Sequence, residues 1–221
     1  LVTATGGDNK VILRWDDSAE RSKDPIYGQD FEAYYIYKST DPNFDDIKTI
    51  TDAFANPLLF EPIAIFDKKN GLSGVHPVSI GSEISAESNL GVSYNMGTDS
   101  GLKHYFIDTN VTNGRTYYYA VVSVDRGYDD SFYPEISDKE GLLKISPTEC
   151  SANIQTDLLG RAIGTDQNAV IVIPVETPSG WEEPKLDENI IHLTGAGTGS
   201  ISIDIIDERS IRSDIEYSLQ F

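Results

Sequence analysis

Apolar and polar residues alternate with a period of two in one short stretch after another, and no segment carries a helical period, so the chain is read as all-β. The pattern is sharpest over residues 111–125, where the turn pair Asn113-Gly114 opens into Tyr-Tyr-Tyr-Ala-Val-Val-Ser-Val. β-Branched and aromatic residues suit a pleated, half-buried surface, so this is a central strand entered from a turn. Residues 10–16 place Val11, Leu13 and Trp15 on one face and Arg14 on the other. Residues 1–7, 31–39, 60–67, 104–109 and 141–146 are further strands. The loops between them are marked by Gly6-Gly7, Asp24-Pro25, Gly28 and Asp41-Pro42-Asn43, and residues 126–139 make a long acidic loop.

Two regions break this rhythm. Residues 68–103 are rich in Gly and Ser, with short apolar runs at 75–80 and 90–94. A structureless loop of that length is uncommon, so an ordered excursion or small hairpin lying on the strands is expected. After Pro147 the character shifts again. Residues 148–168 are polar and read as a linker or irregular cover. Residues 169–174 are an apolar strand, 177–184 a loop, and 190–193, 200–207 and 215–221 further strands. The alternation Ile201-x-Ile203-x-Ile205 and Tyr217-x-Leu219-x-Phe221 gives that half one buried face. It is read as a second, partial β-sandwich over 169–221, left incomplete at Phe221.

The first half resembles a fibronectin type III domain of large secreted bacterial proteins. The resemblance is carried by Val11-x-Leu13-x-Trp15, by Tyr34-x-Ile36 with Lys38-Ser39, and by Val111-x-x-Gly114-x-x-Tyr117 leading into Tyr119 and Val121. It covers residues 1–147 and implies a two-sheet antiparallel, immunoglobulin-like sandwich with strands A, B, C, C′, E, F and G. Residues 68–103 depart from the family as a long insertion between C′ and E. On that mapping Tyr117 is a corner tyrosine whose hydroxyl bonds back to the backbone near Val111. Residues 141–146 would be strand G.

The expected outer faces change this simple picture. With Tyr34, Ile36, Tyr117, Tyr119 and Val121 turned into the core, Tyr35, Tyr37, Tyr118, Ala120 and Val122 turn out. Strands C and F are neighbours in such a sandwich, so their outer faces make an aromatic patch where a one-sided sheet should be polar. Such a patch is normally covered. The cover is the insertion, the C-terminal half, or another molecule, with the first two favoured.

Charge narrows the partners. With 36 acidic and 17 basic residues the formal net charge is −19. Nucleic acid and anionic membranes are disfavoured, because both require clustered Lys and Arg. No apolar run is long enough to span a bilayer. Cys150 is the one cysteine, which fits bacterial secretion and also the cytosol. The chain begins at Leu1 and ends inside an apparent strand, so it is read as a processed protein or a piece of a longer one.

Candidate chemistry is sparse. Asp16, Asp17, Glu20, Asp24 and Asp30 flank one loop, and Asp125, Asp129 and Asp130 another, at the same end of the expected sandwich. Calcium would relieve their repulsion. The alternative is a solvated acidic rim, and no Asp-x-Asp-x-Asp-Gly loop is present. Gly195-Ala-Gly197-Thr-Gly199 precedes a strand rather than the helix a phosphate loop needs. Asp99-Ser100-Gly101 has the form of an aspartic protease triplet but stands without a second. His76, His104 and His192 lack ligand spacing. Asn110-Val111-Thr112 is a glycosylation sequon. No cofactor is required.

These residues point to a non-enzymatic extracellular module of a bacterial surface protein, structural or adhesive. Tyr217, Leu219 and Phe221 would supply an unpaired edge for fibre or surface-layer assembly with other subunits. The other reading is a carbohydrate-binding or spacer module of a secreted hydrolase, with Tyr35, Tyr37, Tyr118 or Trp181 stacking on sugar.

Overall fold

A computed structural model describes residues 1–82, 89–130, 142–185, 194–196, 199, 201, 203–212 and 215–218. The regular structure among the described residues is antiparallel β, with three short 3-10 turns. Val2–Gly7 (β1), Lys10–Trp15 (β2) and Phe31–Ser39 (β3) come first. Then follow Ile50–Thr51 (β4), Pro57–Leu59 (β5), Ala64–Asp67 (β6), Tyr105–Asp108 (β7) and Tyr117–Asp125 (β8). Ile154–Thr156 (β9), Ala162–Thr165 (β10) and Ala169–Val172 (β11) complete the set. Two sheets dominate: a three-stranded one ordered β1-β2-β7 and a four-stranded one ordered β11-β8-β3-β6.

The period-two alternation of the sequence becomes two cores, one on each face of the four-stranded sheet. On the inner face Tyr34, Ile36, Tyr117, Tyr119, Val121 and Val172 meet Val2, Val11, Leu13 and Trp15 of the three-stranded sheet. Trp15 stacks on Phe66 with centroids 6.0 Å apart and meets Tyr34 edge-on at 5.7 Å. On the opposite face Ala33, Tyr35, Tyr37, Ala120, Val122 and Val124 are buried under a third layer. Its buried members are Phe44, Leu59, Val92, Tyr94, Met96 and Ile154.

The described parts of residues 68–103 supply much of that cover, with residues 74–80 paired to 92–97. His76 N–H donates to Tyr94 O at 2.8 Å, Ile80 N–H to Val92 O at 2.8 Å and Met96 N–H to Gly74 O at 2.7 Å. The short hairpins β4-β5 and β9-β10 complete the layer. Both were missed in the sequence: the first fell in unassigned chain and the second in a presumed linker. Strands of two to four residues are too short to show a period.

The strand beside β8 corrects the sequence reading. Residues 142–146 do not form the closing strand, and Gly141 lies outside the described residues; Ile145 makes an isolated bridge to Tyr128. The neighbour of β8 comes in two pieces. Cys150 N–H donates to Ser123 O at 2.9 Å and Asp125 N–H to Thr148 O at 3.0 Å. The chain then leaves, forms β9-β10, and returns as β11, where Ala169 faces Ala120 and Val172 faces Tyr117. Residues 169–172, expected to open a second sandwich, instead form an edge of the four-stranded sheet. The physical reason is that the backbone groups along one edge of buried β8 must find partners, and a β-branched run supplies them.

Among the described residues the other expected C-terminal strands do not appear. Ile201, residues 203–207 and residues 215–218 carry no strand, while 190–193, Ser200, Ser202, Leu219 and Phe221 lie outside the described residues. Of the alternating residues that are described, Ile201 and Ile203 are about two-fifths exposed, Tyr217 is exposed and Ile205 is half-buried, so none of them is buried. Instead Asp207 and the 3-10 turn Glu208–Ser210 lie against β1 and β2. Arg14 pairs with Asp207 at 2.9 Å, Lys10 with Glu208 at 2.8 Å, and Arg209 donates to Gly6 O at 2.5 Å.

Candidate functional site

The acidic end is built of carboxylates that each have a local task. Asp16 accepts from the Leu1 ammonium at 2.6 Å and from the Ser18 backbone, and these bonds hold it well below the usual carboxylate range. Asp17 is lowered by the Arg21 guanidinium, 2.5 Å away. Asp24 accepts from the N–H groups of Tyr27 and Ile26, which lower it too. Asp125 accepts from Gly127 N–H and Thr148 N–H at 2.9 and 3.0 Å. Asp129 pairs with Lys144 at 2.7 Å, and Asp130 accepts from the Tyr128 hydroxyl at 2.8 Å.

The predicted calcium set is therefore brought together only in part. Asp24, Asp30, Asp125 and Glu149 line a shallow cleft of ≈ 330 Å³ with Thr148 and Cys150. Asp30 is raised by burial and by the charges of Asp125 and Asp24. Among the described residues no group of three or more His, Cys, Asp or Glu is arranged to hold a metal ion.

The predicted outer-face residues Tyr35, Tyr37, Ala120 and Val122 are all buried, and Tyr118 is half-buried. The Tyr35 hydroxyl donates to Asn95 O of the insertion. The Tyr37 hydroxyl donates to Glu149 Oε2 at 2.6 Å, and burial raises both groups. Rings held this way cannot stack on a sugar. Trp181 is 41% exposed, and Tyr217 is exposed with its hydroxyl accepting from Arg212 N–H at 3.2 Å.

Two polar sites lie inside the layers, and both were missed in the sequence. Between the two main sheets, Asp108 at the end of β7 accepts from the Tyr119 hydroxyl at 2.6 Å and pairs with Lys38 at 2.8 Å. It thereby ties the three-stranded sheet to both central strands of the other. At the base of the insertion Glu32 and Asp67 are 1% and 0% exposed. Asp67 accepts from Asp99 N–H at 2.5 Å, from Ser100 N–H at 2.9 Å and from the Ser100 hydroxyl at 2.6 Å. Asp99-Ser100-Gly101 is therefore a turn that wraps a buried carboxylate. A strand carboxylate reads as exposed in a sequence, because the pattern records charge and not depth. The faint signal was position, and only for one of them: Asp67 directly precedes the segment whose composition departs from the rest, whereas nothing around Glu32 set it apart.

His76 is buried in the insertion, where burial lowers its pKa, and His104 lies 3.3 Å from Glu20. His192 lies outside the described residues, as do Gly197 and Thr198 of the glycine-rich stretch. Asn110 of the sequon is exposed in the turn between β7 and β8. In that same turn the Tyr117 hydroxyl accepts from Thr112 N–H at 3.0 Å. Among the described residues no helix is long and apolar enough to cross a membrane. Comparison with known protein families, with curated proteins and with solved structures returns no match to this chain.

Proposed function

We propose that this chain is a non-enzymatic, structural or adhesive module of a larger bacterial surface protein, built on a fibronectin type III-like sandwich. The observation that carries the reading is the strand order. The sheets β1-β2-β7 and β11-β8-β3-β6 run as A-B-E and G-F-C-C′ would in that architecture. The Tyr117–Thr112 bond, in the turn leading into the F-like strand, supports it. Architecture alone names no task, so the functional reading rests on rigidity and on the edges. A sheet covered on both faces has no face left for a substrate, and what it offers is a stiff unit with strand ends to share.

The edge best suited to assembly is β7, at the end of the three-stranded sheet. Tyr105 and Ile107 there are 38% and 40% exposed. An edge strand with apolar side chains is a template for strand addition by a second copy. Sedimentation velocity over a concentration series is expected to show self-association. Ile107→Lys is expected to weaken it, since a charge on an edge strand opposes pairing. A strictly monomeric protein at every concentration would remove the assembly part of the reading.

A further inference from the structure

We propose that the ends of the insertion form a proton-responsive clasp, closed when Glu32 is protonated and loosened when Glu32 ionises. The clasp is a closed circuit of short bonds between the two ends of residues 68–103 and the strands beneath. Glu32 sits in the β-bulge of β3, where the register against β8 shifts between Phe31 and Ala33. Asn70, three residues past β6, donates its side-chain amide to both Glu32 oxygens at 2.9 Å. The Asn70 and Gly71 N–H groups donate to Asp99 Oδ1 at 2.8 and 2.9 Å. Asp99 and Ser100 in turn hold Asp67. Gly97 packs so closely over Asp67 that a Cβ there would lie 2.6 Å from the carboxyl carbon, at a φ of +95°. The circuit thus runs Glu32–Asn70–Asp99–Asp67 with no slack.

The two carboxylates are not equally provided for. Asp67 receives three hydrogen bonds, two of them from backbone. Glu32 receives the amide of Asn70. Lys68 is close enough to favour ionised Glu32, but its ammonium is bonded to Phe31 O at 2.6 Å and lies over the Phe31 ring. The other charged neighbours are Arg126, which favours ionisation, and Asp67, which opposes it. Burial outweighs them all and pushes the Glu32 carboxyl up to about 7. A group raised in the fold above its ordinary 4.5 stabilises the fold relatively below 4.5. That advantage is lost as pH rises through about 7. Above that, a second buried negative charge stands beside Asp67, and the Asn70 end of the circuit bears the strain. Loosening there would uncover Met96, Tyr94 and Val92, which sit on Tyr35 and its neighbours.

Met96 is the one methionine of the chain and is fully buried in the insertion, so its methyl group is a single-signal reporter. With methionine carbon-13 labelling, the Met96 methyl shift is expected to titrate with a midpoint near pH 7 in the intact protein, and thermal stability should fall from the ordinary 4.5 up to about 7 and level off above it. Glu32→Gln keeps the size and one of the two Asn70 contacts, through its amide oxygen, without the charge, and should abolish both changes. Asn70→Ala removes a donor to the ionised form and should move the midpoint upward. A Met96 signal that does not move overturns the clasp. So does a transition that persists unchanged in Glu32→Gln, which would then belong to His76.

Discussion

Asp108→Ala is expected to destabilise the protein by about 3–5 kcal/mol in equilibrium denaturation, the range for a buried ion pair broken from one side. The substitution leaves the fully buried Tyr119 hydroxyl without its acceptor and the Lys38 ammonium, 14% exposed, with only the Asn110 carbonyl. Both sit on the four-stranded sheet, while Asp108 comes from the three-stranded one, so the loss falls on the joint between the sheets. Burial works to raise Asp108, but hydrogen bonds from Lys38 and Tyr119 outweigh it and lower the group. A lowered carboxylate contributes stability that is fully present above the ordinary value of 3.8 and is lost as pH falls through its lower folded value. The acid limb of the wild-type stability curve should therefore flatten in Asp108→Ala. An acid limb of unchanged slope, or a cost within about 0.5 kcal/mol as for ordinary surface changes, would show that the tie contributes nothing.

Tyr35→Ala is the second large effect, expected at about 3–5 kcal/mol, as for a truncated core aromatic. In a sandwich with one wet face per sheet this position would be a surface residue and nearly silent. Here its ring packs 6.4 Å from both Tyr37 and Tyr94, and its hydroxyl is bonded into the insertion. The companion change Tyr34→Ala removes a ring from the opposite core. Comparable losses at these consecutive positions, read by denaturant midpoints at constant slope, would establish that the sheet is a middle layer. A small loss at Tyr35 alone would mean the third layer is only loosely seated.

That middle layer is legible in the sequence. Tyr34, Tyr35, Ile36 and Tyr37 are apolar on both parities, and so are Tyr117 to Val122, which a strand wet on one side would not be. The inner set Tyr117, Tyr119 and Val121 is where the alternation put it. Pairing at long range was not legible. Ala169–Val172 has the composition of a buried strand, but nothing in it names β8 across some fifty residues, and the polar stretch before it resembled a boundary. The alternation in residues 201–205 was misleading for the opposite reason: a period of two shows that one face could be buried, not that anything lies against it. Of the candidate site, the loop carboxylates were visible because turns advertise them. Glu32, Asp67 and Asp108 were not, since depth is a property of what packs on a strand and not of the strand.

The split partner of β8 has a practical consequence. Its two pieces end within reach of each other, for the Asn168 side chain donates to Ser151 O at 2.8 Å and to Cys150 Sγ at 3.4 Å. Cys150 and Asn168 bond to Ser123 and Val121, neighbours but one along β8. The β9-β10 excursion thus hangs from a closed neck on an otherwise continuous strand. Such a neck makes the exposed tip of the hairpin a graft point: a passenger domain could be spliced between Leu158 and Leu159 while both halves of the strand keep their register and Ile154 keeps its place in the core.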